Sequence, residues 1–574
     1  MPNRTESDAP RAAAKTEATD LALLTARSTL PHELRHASGM QKLDWIWSLA
    51  NPAEFVTSLE PQELYYWMRD IGKEDAYPLL EHATPEQLRG LVDIDVWAKH
   101  EPQVPRILEW LDLALAVDHD TAARLLESSD DELLLWLLSG DVQVLPSDTD
   151  PDFIADDLSL HYSPDRMYLV TVPRNHALDE RLPQIMRLLW SNDIDRARRI
   201  FQQVQFELQT SLLDDAERFR EARLQDLGFE PPTEALEVFA SLDVAALRHA
   251  LRTDVVGVAA PALTPHPHSP DLVLRGAAPP DLLREALEQL APNDRATVGE
   301  RFAYLVNKVF MAETGDLSRI DDLPAYARQA AAEANLGLQH LSDDSVTQAA
   351  RILAASSAET IFRAGHTLVM QLGKKAHRLS KRAGAHLGYS LFGTPFDGII
   401  AGAALTRPLF WEGVDDARQL TFRPFATLDD LARAEAHVAE ASALLDWFEA
   451  TFGFSIDRLA SGPLAELGAD ARRRVRLSTL FRTGLAHALA NDTFSFAPLT
   501  QEELVTFARA AFTRAGQPST ALTSTLERAR SADPTVARFV ERTLETLNDA
   551  MAGVAPADLT TRYAGELFIV ARDT

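Results

Sequence analysis

The chain has 574 residues, enough for about two to four domains, with 46% hydrophobic and 25% charged residues, as in ordinary folded proteins. It contains no cysteine, which excludes disulfides, thiolate metal sites and cysteine nucleophiles. The formal net charge of −29 is uneven: residues 51–160 hold 25 Asp plus Glu against 6 Lys plus Arg, a net of −19. Such a surface repels phosphate backbones and anionic membranes and attracts basic partners or divalent cations.

Residues 1–30 are polar, alanine-rich and without period, and predict a disordered tail. No signal-type apolar core is present there, and no run of 18 apolar residues occurs in the chain. The best candidate, Gly398 to Leu405, is short and flanked by Asp397 and Arg407. A cytoplasmic protein without a membrane span is expected.

From Pro31 a helical pattern begins, and one phrase then returns: Leu59-Glu60-Pro61-Gln62-Glu63-Leu64, Ala83-Thr84-Pro85-Glu86-Gln87-Leu88 and Ser128-Ser129-Asp130-Asp131-Glu132-Leu133. Each reads as a helix start, with an oxygen-bearing cap, Pro or Asp in the first turn, acids at the positive end of the dipole, then Leu. Thr84 and Gln87 have capping-box spacing. Short helices restarting this often cannot bury an apolar face alone and must stack. An acidic helical-repeat domain over 31–145 follows. Six of the nine tryptophans lie in the first 140 residues of the chain (45, 47, 67, 97, 110 and 136) and are read as core, some of them partly exposed on a concave face.

The phrase "Leu-x-Pro-x-x-Leu, short helix, acidic cap, short helix" over about 50–140 resembles the helical N domain of MgtE-type magnesium transporters, and a related superhelix occurs in flagellar motor-switch proteins. In the transporters that domain senses magnesium beside a CBS pair and a membrane pore. This chain has neither, so the resemblance implies a fold and not transport. The chain as a whole resembles a bacterial family of unknown function.

Over 146–256 the texture changes. Leu158, Leu160 and Tyr162, then Tyr168, Val170 and Val172, alternate with polar positions around Ser163-Pro164-Asp165-Arg166, which predicts a β-hairpin packed on helices. Long helices follow over 178–228, ended by Gly228. Residues 257–281 contain six prolines and no period and read as a linker. Residues 282–574 are helical again, with Leu499-Thr500-Gln501-Glu502-Glu503-Leu504 repeating the capping-box logic and the glycine-rich patch Gly384–Gly402 as the least helix-like apolar segment. The predicted fold is all-α: stacked short-helix repeats and a second helical domain, with one small β-hairpin insertion.

The chemical motifs are few. Gly365 and Gly373-Lys374-Lys375 lack the spacing and hydroxyl of a phosphate loop. Gly388-Tyr389-Ser390-Leu391-Phe392-Gly393 misses the nucleophile elbow by one residue. His266-Pro267-His268 and Glu33-x-x-His36 have metal-like spacing with no completing ligands. The carboxylates Glu60, Glu63, Asp70, Glu86, Asp93, Asp95, Asp130, Asp131 and Glu132 could take a divalent cation only where several converge at about 2.0–2.6 Å. No catalytic or cofactor-binding residue is assigned.

The sharpest pattern is electrostatic. Thr360 to Phe396 contains no acid, and Lys374, Arg378 and Lys381 or Arg382 share one helical face, with Lys375 beside them. A second cluster is Arg472, Arg473, Arg474 and Arg476. These nine cations form a candidate interaction surface for acidic protein, for self-association with the acidic repeat, or for nucleic acid, which the sequence pI of about 4.9 disfavours. The leading expectation is a non-enzymatic scaffold or adaptor that binds protein partners. The alternatives are an enzyme with a site near 374–402 and a nucleic-acid binder using the same segment.

Overall fold

The computed structural model describes residues 38–571 except 141, 151, 153, 205–208, 253–278, 466, 514–516, 552–553, 556–558 and 561–563. The expected tail, Glu33 and His36, the six-proline stretch to Ala278 and the His266/His268 pair therefore lie outside the described residues. The protein is mainly all-α with small β insertions, as the periodicity predicts.

Two compact units divide the chain: 1–240, 249–331 and 345–363 in the first, and 241–248, 332–344 and 364–574 in the second. Boundaries of this division fall within three helices, Val244–Arg252, Leu323–Ser342 and Ala358–Arg382, and most of residues 282–363 belong to the first unit.

The first unit begins with helices α1 (Gly39–Ser48), α2 (Pro52–Ser58), α3 (Pro61–Ile71), α4 (Pro85–Asp95), α5 (Val104–Val117), α6 (His119–Ser128) and α7 (Asp131–Ser139). The returning phrase marks the starts of α3, α4 and α7. Proline opens α3 and α4, where its missing N–H is harmless. Thr84 and Gln87 exchange hydrogen bonds of 2.8 and 3.2 Å as a capping box. Leu64 and Leu88, at matching positions, are fully buried.

The third copy departs from the expectation. Asp130 precedes α7 but makes no side-chain cap; its carboxylate accepts from Arg223 at 2.6 Å instead. A cation offers a buried-side carboxylate more than one backbone N–H does.

Neighbouring helices are tied by side chains that satisfy helix ends. Gln87 Nε2 donates to Val56 O at 2.7 Å and Leu59 O at 2.6 Å, closing the end of α2. Arg124 donates to Ala83 O and Glu81 O, and Arg196 to Glu127 O and Ser129 O. These carbonyls lie at or just past helix C-termini, where the dipole is negative and most lack a backbone donor, so an amide or guanidinium N–H suits them; Val56 O also accepts the Leu59 N–H.

A two-residue ladder joins β1 (Trp97–Ala98) and β2 (Glu101–Pro102). The predicted hairpin is present as β4 (Leu158–Tyr162) and β5 (Tyr168–Pro173), but it belongs to a three-stranded antiparallel sheet, because β3 (Gln143–Pro146) pairs with the other side of β5 in the order β3-β5-β4. Val144, Val170 and Val172 point from one face into the core of the unit. The run expected as long helices is α8 (Leu182–Asn192), α9 (Ile194–Val204) and α10 (Gln209–Asp226), with Asp193 ending α8. Gly228 follows at φ +82°, in the left-handed region that glycine tolerates.

Within the second unit, the terminal part of helix α11 (Leu323–Ser342), from Ala332, crosses the part of α12 (Ala358–Arg382) that begins at Ala364. A Cβ on Gly365 would come 1.9 Å from Glu333 O, so only glycine permits that crossing. Further helices are α13 (Phe396–Ala403), α14 (Leu428–Phe452), α15 (Leu477–Asn491), α16 (Gln501–Ala511), α17 (Thr520–Ala529) and α18 (Pro534–Met551), with a short ladder between β6 (Phe410–Trp411) and β7 (Phe422–Arg423). The predicted capping box at Thr500 and Glu503 is formed.

Of the patch Gly384–Gly402, expected as the least helix-like apolar segment, residues 384–395 form a short 3-10 turn and loop as expected, and only the end from Phe396 is α-helical, in α13. Glycines weaken a helix locally, but here Gly398 abuts Trp411 and Gly402 abuts Phe422 and Leu409 O, all closer than a Cβ allows. Packing overrides propensity. Among the described residues no helix is long and apolar enough to cross a membrane.

Candidate functional site

An open cleft of about 830 Å³ lies in the first unit between α5 and the loop from β5 to α8. The sequence of α5 explains one wall. Leu108, Trp110, Leu111 and Ala114 face the core, which leaves Glu109 and Asp112 on the opposite side. The other wall is Asn175–Arg181, and Glu74 stands at one end.

Five carboxylates line the cleft: Glu74, Glu109, Asp112, Asp179 and Glu180. Arg181 pairs with Asp112 at 2.9 Å, and Lys73 reaches Glu109 at 3.1 Å while holding buried Asp95 at 2.6 Å. Asp179 accepts from Ser159 Oγ at 2.8 Å and lies 3.0 Å from His161 Nε2, both on β4. Burial pushes the Asp179 carboxyl up, but the bonds from Ser159 and His161 outweigh it and hold it below its ordinary value. Glu74 and Glu180 are exposed and form no ion pair among the described residues. Pro105, Leu108 and Leu113 supply apolar surface between these groups.

The negative balance has an identifiable origin. Of the few cations in 51–160, Arg89, Arg106 and Arg124 give short hydrogen bonds to the backbone carbonyls of Ser128, Asp95 and Ala83. Arg89 and Arg106 form no ion pair among the described residues, and Arg124 reaches only the exposed Asp120, at 3.6 Å, so the cleft acids are left without them. The arrangement can hold a cationic group over an apolar floor.

The nine acids considered for a divalent cation are used separately. Glu63 accepts the Glu60 N–H at 3.0 Å as a helix cap, Asp70 pairs with Lys42, and Asp131 pairs with Arg196. Asp93 and Asp130 share Arg223. Burial raises the Asp93 carboxyl against the pull of Arg223, and burial draws the nearby Arg220 guanidinium down to about 10. Asp95 receives Tyr65, Lys73 and Trp110; burial pushes it up, and these donors bring it below its ordinary value. Glu86 is exposed and Glu132 half-buried. Among the described residues no group of three or more His, Asp or Glu could hold a metal ion.

The basic surface is split by its surroundings. Lys375 pairs with Glu435 at 3.2 Å, and Arg382 with Asp446 and with Glu449 at 2.8 Å, all three acids on α14. Lys374, Arg378 and Lys381, one face round on α12, are exposed and form no ion pair among the described residues. Arg472 donates to Leu467 O, whereas Arg473 and Arg474 are exposed. Arg476 bonds Ser390 and lies 3.1 Å from Asp397, whose carboxylate also accepts from Gly393 N at 2.8 Å. The Ser390 hydroxyl donates to Asp397. Ser390 and Asp397 of the glycine-rich segment are thus engaged with each other and with Arg476, whereas the buried Tyr389 hydroxyl has no hydrogen-bond partner among the described residues. Gly373 sits in the middle of α12 against Pro408, not in a loop.

Sequence reasoning missed the cleft and one buried pair. His366 Nδ1 lies 2.7 Å from Glu333 Oε2, both nearly inaccessible, beside the close crossing at Gly365. The acid-rich string Asp179-Glu180-Arg181 after a strand was the available signal for the cleft.

A family model described as a family of unknown function, DUF6178, matches residues 19–570. No curated protein and no solved structure matches the chain. The resemblance of residues 50–140 to the magnesium-transporter N domain is not supported. Because the matching model runs over nearly the whole chain, the protein belongs to the DUF6178 family.

Proposed function

We propose that the protein is a non-enzymatic cytoplasmic scaffold or adaptor that binds protein partners, with the acidic cleft of the first unit gripping a basic segment of the partner. The observation that carries this reading is the diversion of Arg89, Arg106 and Arg124 onto backbone carbonyls, which leaves Glu74, Glu109, Asp112 and Glu180 facing outward. A row of carboxylates over Leu108 and Leu113 suits lysine or arginine side chains, whose stems cover apolar surface while their heads meet acids. Fields of this kind set association rate and partner choice more than affinity.

The test places a photo-crosslinking residue at Glu180 and compares the wild-type background with Glu109→Lys/Asp112→Lys. The expected result is a protein crosslinked in native lysate that disappears in the variant and at high salt. The same adducts in both backgrounds would refute the reading.

A further inference from the structure

The two edges of the small sheet differ. The bonds Ser163 N→Tyr168 O and Arg174 N→Asp157 O place the odd-numbered residues of β4 against β5. The alternation of an antiparallel ladder then turns the N–H and C=O of Leu158, Leu160 and Tyr162 to the open edge. Leu158 N is taken by Ala155 O and Leu158 O by Arg174 Nε. The four backbone groups of Leu160 and Tyr162 have no partner among the described residues.

The same argument at β3, where Ser147 N bonds Met167 O, turns Val144 and Pro146 to the opposite edge. Proline lacks the donor, so that edge cannot extend regularly. β4 has no such guard. Its outward positions are Leu160 and Tyr162, 40% and 50% exposed, where edge strands normally carry charge, proline or a bulge.

The face beside this edge is apolar as well. Parity places Leu160, Tyr162, Met167, Leu169 and Thr171 together, opposite the core-facing Val170 and Val172. Met167 is 52% exposed, and Thr171 Oγ1 is buried without a hydrogen-bond partner. Between Gln143 and Leu158, Asp148, Asp150, Asp152, Asp156 and Asp157 are exposed, and the interval contains no lysine or arginine.

We propose that β4 is a strand-addition site: an extended segment of a partner protein pairs with the backbone of Leu160 and Tyr162, lays apolar side chains on the Leu160–Tyr162–Met167 strip, and matches the five aspartates with basic flanks. Main-chain pairing gives such a complex its affinity, and alternate side chains give it specificity. The inference rests on the protein-binding reading but uses a surface separate from the cleft carboxylates.

The probe is a synthetic peptide with three alternating valines and threonines between lysine pairs, titrated into the full-length protein by fluorescence anisotropy, with hydrogen exchange read by mass spectrometry. The expected result is saturable binding, slowed exchange at 160 and 162, and at least about tenfold weaker binding to Leu160→Lys/Tyr162→Lys. A peptide N-methylated at its edge-facing amides should lose affinity equally, which tests the pairing without altering the protein. Undiminished binding of the N-methylated peptide, or no protection on β4, overturns the proposal. Concentration-dependent protection of β4 without peptide would make a second copy of the chain the occupant and overturn it too. Glu109→Lys/Asp112→Lys should leave the affinity and the β4 protection intact; weaker affinity with β4 still protected at saturating peptide marks failure of the separation between surfaces, not of strand addition.

Discussion

The two units bury their difficult groups by opposite means. In the first, carboxylates at the end of α4 lie inside: Asp93 and Asp95 are each 3% exposed, at the helix end where the dipole disfavours anions. They persist because Arg223, Lys73, Tyr65 and Trp110 surround them. In the second, the centre is aromatic. Phe448 has the rings of Trp447, Phe452, Phe454, Phe481, Phe496 and Phe539 at centroid distances of 5.1–6.4 Å. The end of α4 in the first unit depends on paired charges, and the centre of α14 in the second depends on shape. Paired charges fail when one partner is removed, whereas packed rings fail in proportion to lost volume.

The largest expected effects test this contrast directly. Asp95→Ala leaves Lys73 and Trp110 without their buried acceptor and is predicted to cost the first unit about 3–5 kcal/mol. Phe448→Ala, with the ring fully buried, is predicted to cost the second unit a similar amount, about 3–5 kcal/mol. The discriminating measurement is the conservative pair under denaturant: Phe448→Leu should recover most of its loss, while Asp95→Asn should recover little, because the amide does not replace the charge beside Lys73. Equal recovery in both would remove the distinction between the units.

What the sequence disclosed follows the same line. Cap chemistry is local, so the starts at Pro61, Pro85 and Gln501 were legible, as was the hairpin around Ser163–Arg166. The strand Gln143–Pro146 was not, since four residues carry no period and their partner is the far side of β5. The helix at Phe396–Ala403 was hidden because its glycines answer to Trp411 and Phe422, which composition does not reveal. The cleft was hidden for a similar reason: Asp112 and Arg181 meet across 69 residues of sequence.

A smaller effect is expected from acid at the start of α14. Asp430 is 4% exposed and accepts both arms of Arg423 at 2.8 Å and the Ala426 N–H at 3.0 Å. Burial pushes its carboxyl up, but Arg423 and the backbone donors hold it below its ordinary value. A lowered folded-state pKa adds stability that is complete above the unfolded value, about 4, and disappears as pH falls through the folded value. Urea unfolding of the second unit should therefore weaken from about pH 4 downward, and Asp430→Asn should flatten that slope at a cost of about 1–3 kcal/mol near neutrality. An unchanged slope in the variant would assign the acid sensitivity elsewhere.

The smallest effect concerns the basic surface, where the two kinds of cation on α12 should separate. Lys375 and Arg382 have acidic partners on α14, but these pairs are exposed, and exposed pairs contribute about 0.2–1 kcal/mol. Lys374, Arg378 and Lys381 have none among the described residues, so reversing them costs no fold interaction. Lys375→Glu/Arg382→Glu is predicted to lower the second unit's stability by about 1 kcal/mol or less, and high salt should erase most of the difference. Lys374→Glu/Arg378→Glu/Lys381→Glu should leave stability unchanged within about 0.5 kcal/mol while altering retention on anion-exchange resin. Should the second set destabilise more than the first, these residues must hold structure instead of forming a free surface, and the candidate interaction face on α12 would be lost with it.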